Sequence, residues 1–190
     1  MTLAEIFAKY PDTDKDTIHS YAEFYEGLFG PMRNHPPGCG RVRSLWEVGV
    51  RGGGSLKAWR EYFDSPGGCH VVGFDNGSEA GIWESDDPHI QVEYADSCKP
   101  WTWGPSTWLA ERSHGQPDII IDDGCHHPYA QVATFSILYP HLNSGGIYVI
   151  EDVEDITYAE RIAEMFGGTV EDRRKVKNRH DDILVWWRKP

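Results

Sequence analysis

Two short runs concentrate groups capable of chemistry: Asp122-Asp123-Gly124-Cys125-His126-His127 and Glu151-Asp152. Three or four carboxylates brought to one place repel one another and require protons, basic partners or a metal ion. Oxygen donors with no thiolate partner favour Mg²⁺, Mn²⁺ or Ca²⁺ over zinc. His126, three residues past Asp123, is placed to take a proton from a substrate hydroxyl held by such a metal. The structural alternative is that Asp122 or Asp123 caps the next helix and Glu151-Asp152 is a solvated turn. His127, ahead of Pro128, reads as a surface residue at a helix start, and Cys125 as a small packing residue.

A second group is the glycine-rich run Glu47-Val48-Gly49-Val50-Arg51-Gly52-Gly53-Gly54-Ser55. Glycines let the backbone turn tightly beside a ligand, and the N-terminus of a following helix is electropositive. Ser55 is the expected N-cap of that helix. Such a turn serves many nucleotide and cofactor binders. It departs from the dinucleotide pattern G-x-G-x-x-G, because Arg51 stands where the second glycine belongs. Asp75 lies 26 residues beyond Gly49, at a distance suited to a ribose-binding acid across one βαβ unit. Asp96, after a third apolar segment, is in reach of an adenine. Either acid alone is equally well read as a helix cap or turn residue.

These residues converge only if the elements before them are parallel strands. The sequence supplies that pattern. Apolar strands are expected at 44–50, 70–75, 90–96, 118–122 and 146–151, with two more near 169–176 and 182–188. Helices are expected at about 55–63, 106–112, 128–142 and 155–166 between them. Two N-terminal helices, carrying Leu3, Ile6 and Phe7 and then spanning about Asp16 to Phe29, precede a loop at Asn34-His35-Pro36-Pro37-Gly38. The predicted fold is α/β: a Rossmann-like, doubly wound, mostly parallel seven-stranded sheet with helices on both faces and N-terminal helices. Residues 1–40 are expected to form a helical segment packing on a catalytic domain of residues 41–190. Ligands of such sheets bind beyond the carboxyl ends of the strands, which is where the acids and glycines fall.

The 190 residues carry 18 basic and 30 acidic side chains, a net charge of −12, which argues against a nucleic-acid partner. The basic stretch Arg173 to Lys177 with Arg179 is interrupted by acids and reads as a solvated strand or turn. Cys39, Cys69, Cys98 and Cys125 are scattered, so neither a zinc knuckle nor a disulfide framework is expected. No apolar run approaches the roughly 20 residues of a membrane span, and Met1 to Tyr10 lacks the character of a signal peptide. A reducing cytoplasm is the expected compartment.

The residues resemble the class I S-adenosylmethionine (SAM)-dependent methyltransferases of the macrocin/mycinamicin sugar O-methyltransferase type, with cephalosporin-hydroxylase-like relatives. The matching text is Thr13-x-Lys15-x3-His19-x-Tyr21, then Leu45-x-Glu47-Val48-Gly49-Val50-x-Gly52-Gly53-x-Ser55-Leu56-x3-Trp59. It continues with Gly73-Phe74-Asp75, Ile119-Ile120-Ile121-Asp122-Asp123-Gly124-x-His126 and Gly145-Gly146-Ile147-Tyr148-Val149-Ile150-Glu151-Asp152. The resemblance implies Asp123, Glu151 and Asp152 as Mg²⁺ ligands and His126, with Asp123 beside it, as the catalytic group. It implies that Glu47, Gly49, Gly52, Gly53 and Ser55 cradle the methionine end of SAM, which Asp123 also touches. Asp75 would take the ribose, and Asp96 with Ser97 the adenine. The Lys15–Tyr21 segment would fold over the cofactor. Two departures stand out. Family members acting on macrolide sugars can carry a large extra N-terminal domain that this sequence does not contain, and position 125 is Cys where Ser is usual. Trp101, Trp103 and Trp108 suit either a sugar-stacking wall or core packing.

The expected activity is therefore SAM- and Mg²⁺-dependent methylation of a hydroxyl on a sugar or other small natural product. The expected partner is a small hydroxylated acceptor, glycosylated or not, with no nucleic acid and no membrane; a homo-oligomer is compatible with the sequence. The competing readings are an NAD-dependent oxidoreductase, which the displaced glycine pattern disfavours, and a non-catalytic SAM-binding module.

Overall fold

A computed structural model describes residues 1–33, 41–64, 68–79, 81–104 and 115–190. Seven strands form one sheet: β1 (Ser44–Val48), β2 (His70–Asp75), β3 (Ile90–Tyr94), β4 (Ile119–Asp122), β5 (Ile147–Ile150), β6 (Thr169–Asp172) and β7 (Ile183–Arg188). Their order is β3-β2-β1-β4-β5-β7-β6. The first five run parallel, β7 is antiparallel to β5, and β6 is antiparallel to β7. The doubly wound, mostly parallel sheet expected from the sequence is the one observed. Strand order reverses between β1 and β4, which opens a crevice beyond their carboxyl ends.

The helices are α1 (Leu3–Phe7), α2 (Tyr21–Arg33), α3 (Gly54–Tyr62), α4 (Pro128–Leu138), α5 (Ile156–Phe166) and α6 (Arg174–Lys177). The central strands are buried along their whole length, so their side chains alternate between two apolar layers rather than between core and water. Leu45, Ile119, Ile121, Ile147 and Val149 face a layer built with α1, α2 and α3. Trp46, Val48, Ile120, Tyr148 and Ile150 face the opposite layer with α4 and α5. That alternation positions the site. Glu47, Asp123 and Glu151 fall on the phase that faces the N-terminal helices, and Asp122 on the other.

Several boundaries differ from expectation. The second helix begins at Tyr21, not near Asp16, because residues 14–20 form hydrogen-bonded turns in which Ile18 and His19 donate to the Asp14 carbonyl. Ser55 does not cap α3. Gly53 does, with φ of 76°, and Ser55 sits one residue inside the helix. The basic stretch after β6 forms the short α6, and Arg173 there reaches Glu23 and Glu171. The helix expected near 106–112, Trp108, Cys39 and the 34–38 loop lie outside the described residues. Among the described residues no helix is long and apolar enough to cross a membrane.

Candidate active site

The turn after β1 and the turn after β4 touch. Gly49 has φ of 88°, and a Cβ there would lie 2.0 Å from the Asp123 carbonyl oxygen. Only glycine permits both the left-handed backbone and this approach. The cleft beside them has a volume of about 390 Å³. Its walls include Asp12 to Lys15, Gly49, Ser55, Asp75, Ser97, Asp123, His126 and Asp152.

At one end of the cleft, ligand atoms of Asp123, His126 and Asp152 all lie within 4.8 Å of one another. His126 Nε2 is 3.5 Å from Asp123 Oδ1 and 3.7 Å from Asp152 Oδ2. The close contact with the Asp123 carboxylate, together with the charges of Asp123 and Asp152, raises the His126 imidazole to about 9 against the cost of burial. Asp152 has φ of 52°, so its backbone is turned into the left-handed region. Its carboxylate accepts from the Tyr21 hydroxyl and lies 3.3 Å from His19 Nδ1. His19 in turn holds Asp182 at 2.7 Å, and Ser20 donates to the same carboxylate.

Behind that trio, Lys15 is buried with its ammonium 2.7 Å from Asp123, 2.5 Å from Glu151 and 3.1 Å from Glu47. Burial opposes a charged lysine, but these three carboxylates outweigh it and hold the ammonium protonated. Tyr25 donates to Glu151. Burial raises Glu151 well above the usual carboxylate range, and its acidic neighbours add to this while Lys15 opposes it. Four carboxylates thus surround one ammonium and one exposed-edge imidazole. That residual negative charge and the oxygen-rich donor set fit a hard divalent cation at Asp123 and Asp152, beside the His126 imidazole, with Glu151 held next to them through Lys15.

Asp75 lines the cleft and is fixed by accepting from Val50 and Arg51 N–H at one oxygen and Gly77 N–H at the other. Ser97 also lines it. Asp96 does not. It is buried, accepts from Cys98 N–H and pairs with Lys99 at 2.8 Å, which holds it below the usual carboxylate range. Gly52, Gly53, Glu47 and Glu151 do not line the cleft. Asp122 packs away from the cleft near Tyr148, and burial pushes it up to about 7. Trp103 is buried against Phe74, whereas Trp101 is 77% exposed.

Sequence reasoning missed Lys15 as the buried counter-charge, and it missed His19, Tyr25 and Asp182 as supports. The polar run Thr13-x-Lys15-x3-His19-x-Tyr21 was the available signal. The cysteine expectation needs correction: Cys98 and Cys125 are joined, with Cα atoms 6.2 Å apart, because the loops after β3 and β4 lean together.

No protein-family model matches the chain. A stretch of 149 residues, 75% of the chain, is 35% identical to 8-demethyl-8-alpha-L-rhamnosyl tetracenomycin-C 2'-O-methyltransferase of Streptomyces olivaceus, covering 35% of that protein. Over 158 residues, 80% of the chain, it is 32% identical to demethylmacrocin O-methyltransferase of Streptomyces fradiae, covering 36% of it. The chain therefore spans about a third of the length of the curated relatives it matches. Among solved structures, the MycE methyltransferase of the mycinamycin biosynthetic pathway, in complex with Mg, SAH and mycinamycin VI, superposes with a TM-score of 0.63. That match is 28% identical and covers 80% of this chain and 39% of that one. An O-methyltransferase from Bacillus cereus in complex with SAH shares the fold over 99% of the chain and 90% of its own, with a TM-score of 0.60 and 15% identity.

Proposed function

From the premise that this chain is homologous to the sugar O-methyltransferases of the macrocin and mycinamicin type, we propose that it methylates a hydroxyl of a sugar or other small natural product, using SAM and Mg²⁺. The observation that carries the reading is the meeting of Asp123, His126 and Asp152 at one end of the cleft between β1 and β4.

When bound, SAM would supply an electrophilic methyl group and Mg²⁺ would polarise the acceptor oxygen. The residues supply the rest. Asp123 and Asp152, with Glu151 behind them, would hold the cation, and Lys15 neutralises the inner side of the cluster. His126 Nε2 takes the acceptor proton, which requires the imidazole to enter the cycle neutral. Gly49 gives the cofactor's methionine end access to the backbone, with Glu47, Gly52, Gly53 and Ser55 shaping that turn. Asp75 takes the ribose. Ser97, rather than Asp96, faces the adenine, while Asp96 holds the Ser97 loop through Cys98 and Lys99. Alignment of acceptor and methyl donor in one cleft supplies much of the acceleration. The N-terminal helices α1 and α2 act as a segment packed on the catalytic sheet, and the protein works in the cytoplasm on a small acceptor.

The test is calorimetric binding of SAH with and without Mg²⁺, followed by incubation with SAM and a panel of deoxysugar glycosides. SAH binding and a Mg²⁺-dependent mass gain of one methyl group are expected. A chain that binds no SAH under either condition is not this enzyme.

A further inference from the structure

In the strand order β3-β2-β1-β4, the ends of β3 and β4 are separated by two strands, about 14 Å at the usual interstrand spacing. The loops that follow them nevertheless meet above the sheet. Cys125 N–H donates to Ser97 Oγ at 2.9 Å, and the Tyr129 hydroxyl donates to the Cys98 carbonyl. Gly124 is packed so closely that a Cβ would lie 2.9 Å from Ser97 Oγ and 2.8 Å from Val48 Cγ1. Cys98 and Cys125 are joined across this contact, at a Cα separation of 6.2 Å, within the range a disulfide accepts. Both are half-buried and both line the cleft. Cys125 lies between Asp123 and His126, and Cys98 directly follows Ser97.

We propose that Cys98 and Cys125 form a reversible dithiol–disulfide site that sets the affinity of the cleft for its cofactor, which rests on the methyltransferase reading. Closure joins the loop that faces the cofactor's adenine to the loop that carries the acid and the base. The oxidant is a small-molecule disulfide of the glutathione class. One thiol attacks it, releasing a small thiol and leaving a mixed disulfide. The second thiol then displaces the other small thiol and forms the S–S bond. Two protein thiols lose their protons and two electrons, and the reagent leaves as two thiols. With the bridge closed, the two loops are fixed in the arrangement that forms the cleft. Binding then pays less for ordering them. With it open, the Ser97–Cys125 and Tyr129–Cys98 hydrogen bonds and the Gly124 contact remain to hold them together.

The test uses the full chain equilibrated in oxidised and in reduced glutathione, with alkylation and peptide mapping of the cysteines and SAH calorimetry on each form. The Cys98–Cys125 cross-linked peptide should appear in the oxidised buffer and disappear in the reduced one. The oxidised form should bind SAH about three- to tenfold more tightly than the reduced form. Cys125→Ser should bind like the reduced protein in both buffers. Absence of that cross-linked peptide overturns the proposal, and so does equal or tighter binding by the reduced form. SAH binding by neither form overturns the methyltransferase reading and the affinity effect with it, while the peptide map still decides whether the pair forms.

Discussion

Lys15 Nζ lies 2.7 Å from Asp123 Oδ2, although 108 residues separate them in the chain. This contact fastens the turns before α2 to the loop after β4, and Asp12 to Lys15 become one wall of the cleft. It also places a permanent cation against the inner side of the acidic cluster. The side that faces the cleft, at Asp123, His126 and Asp152, keeps its own negative charge.

Removing that cation should be costly. Lys15→Met leaves Glu47, Asp123 and Glu151 buried without their shared partner, and breaking a buried ion pair costs about 3–5 kcal/mol. Urea unfolding of the variant should show a loss of that size, partly recovered by added Mg²⁺ through binding to the folded state. A loss below about 1 kcal/mol, on the scale of an exposed pair, would mean the cluster does not depend on Lys15.

His126→Ala separates chemistry from binding. The imidazole lies at the edge of the cleft rather than in its core, so the fold and SAH affinity should survive. Turnover should fall about 10²- to 10⁴-fold, the range of a positioned general base. Single-turnover methyl transfer with saturating Mg²⁺ measures it; a rate within twofold of the parent removes His126 from the role.

His19 acts one layer further out. It lies 3.3 Å from Asp152 and is itself fixed by Asp182, so it orients a carboxylate without facing the cleft. His19→Ala should weaken Mn²⁺ binding about 10- to 100-fold, as loss of an outer-shell partner does. SAH binding without metal should stay unchanged. Calorimetry with Mn²⁺ alone reads the effect, and unaltered Mn²⁺ affinity would confine His19 to stability.

Much of this arrangement was legible before any coordinates. Apolar strands that run into Gly49, Asp75, Asp123 and Glu151 at their carboxyl ends dictate a parallel sheet, and the switch-point rule then gathers those residues at one edge. The two-residue period of a strand also explains which acids meet. Glu47, Asp123 and Glu151 share the phase facing the N-terminal helices, whereas Asp122 points to Tyr148. The supports were hidden because they come from outside the strand pattern. Lys15 and His19 lie in turns that carry no periodicity, and Asp182 precedes the last strand. The Cys98–Cys125 pair depends on how far two loops lean, which a separation of 27 residues does not reveal. Asp96 followed a strand as Asp75 did, but Lys99 one turn later draws it away from the cleft.

His141 offers a pH test away from the site. Its ring sits in the short turn after α4, 5.8 Å from the Trp46 ring. Burial lowers its basicity below the ordinary value of 6.5, and Lys189 nearby adds to the effect. A histidine depressed in the folded state binds a proton more readily when unfolded. Its contribution to stability is therefore present above pH 6.5 and lost as pH falls through the lowered value. Thermal melts from pH 7.5 down to about 5 should show the midpoint falling in the parent chain. His141→Gln, which keeps a polar side chain of similar reach but does not titrate, should show a shallower fall over the same window. Parallel curves for the two proteins would assign the acid sensitivity to other groups.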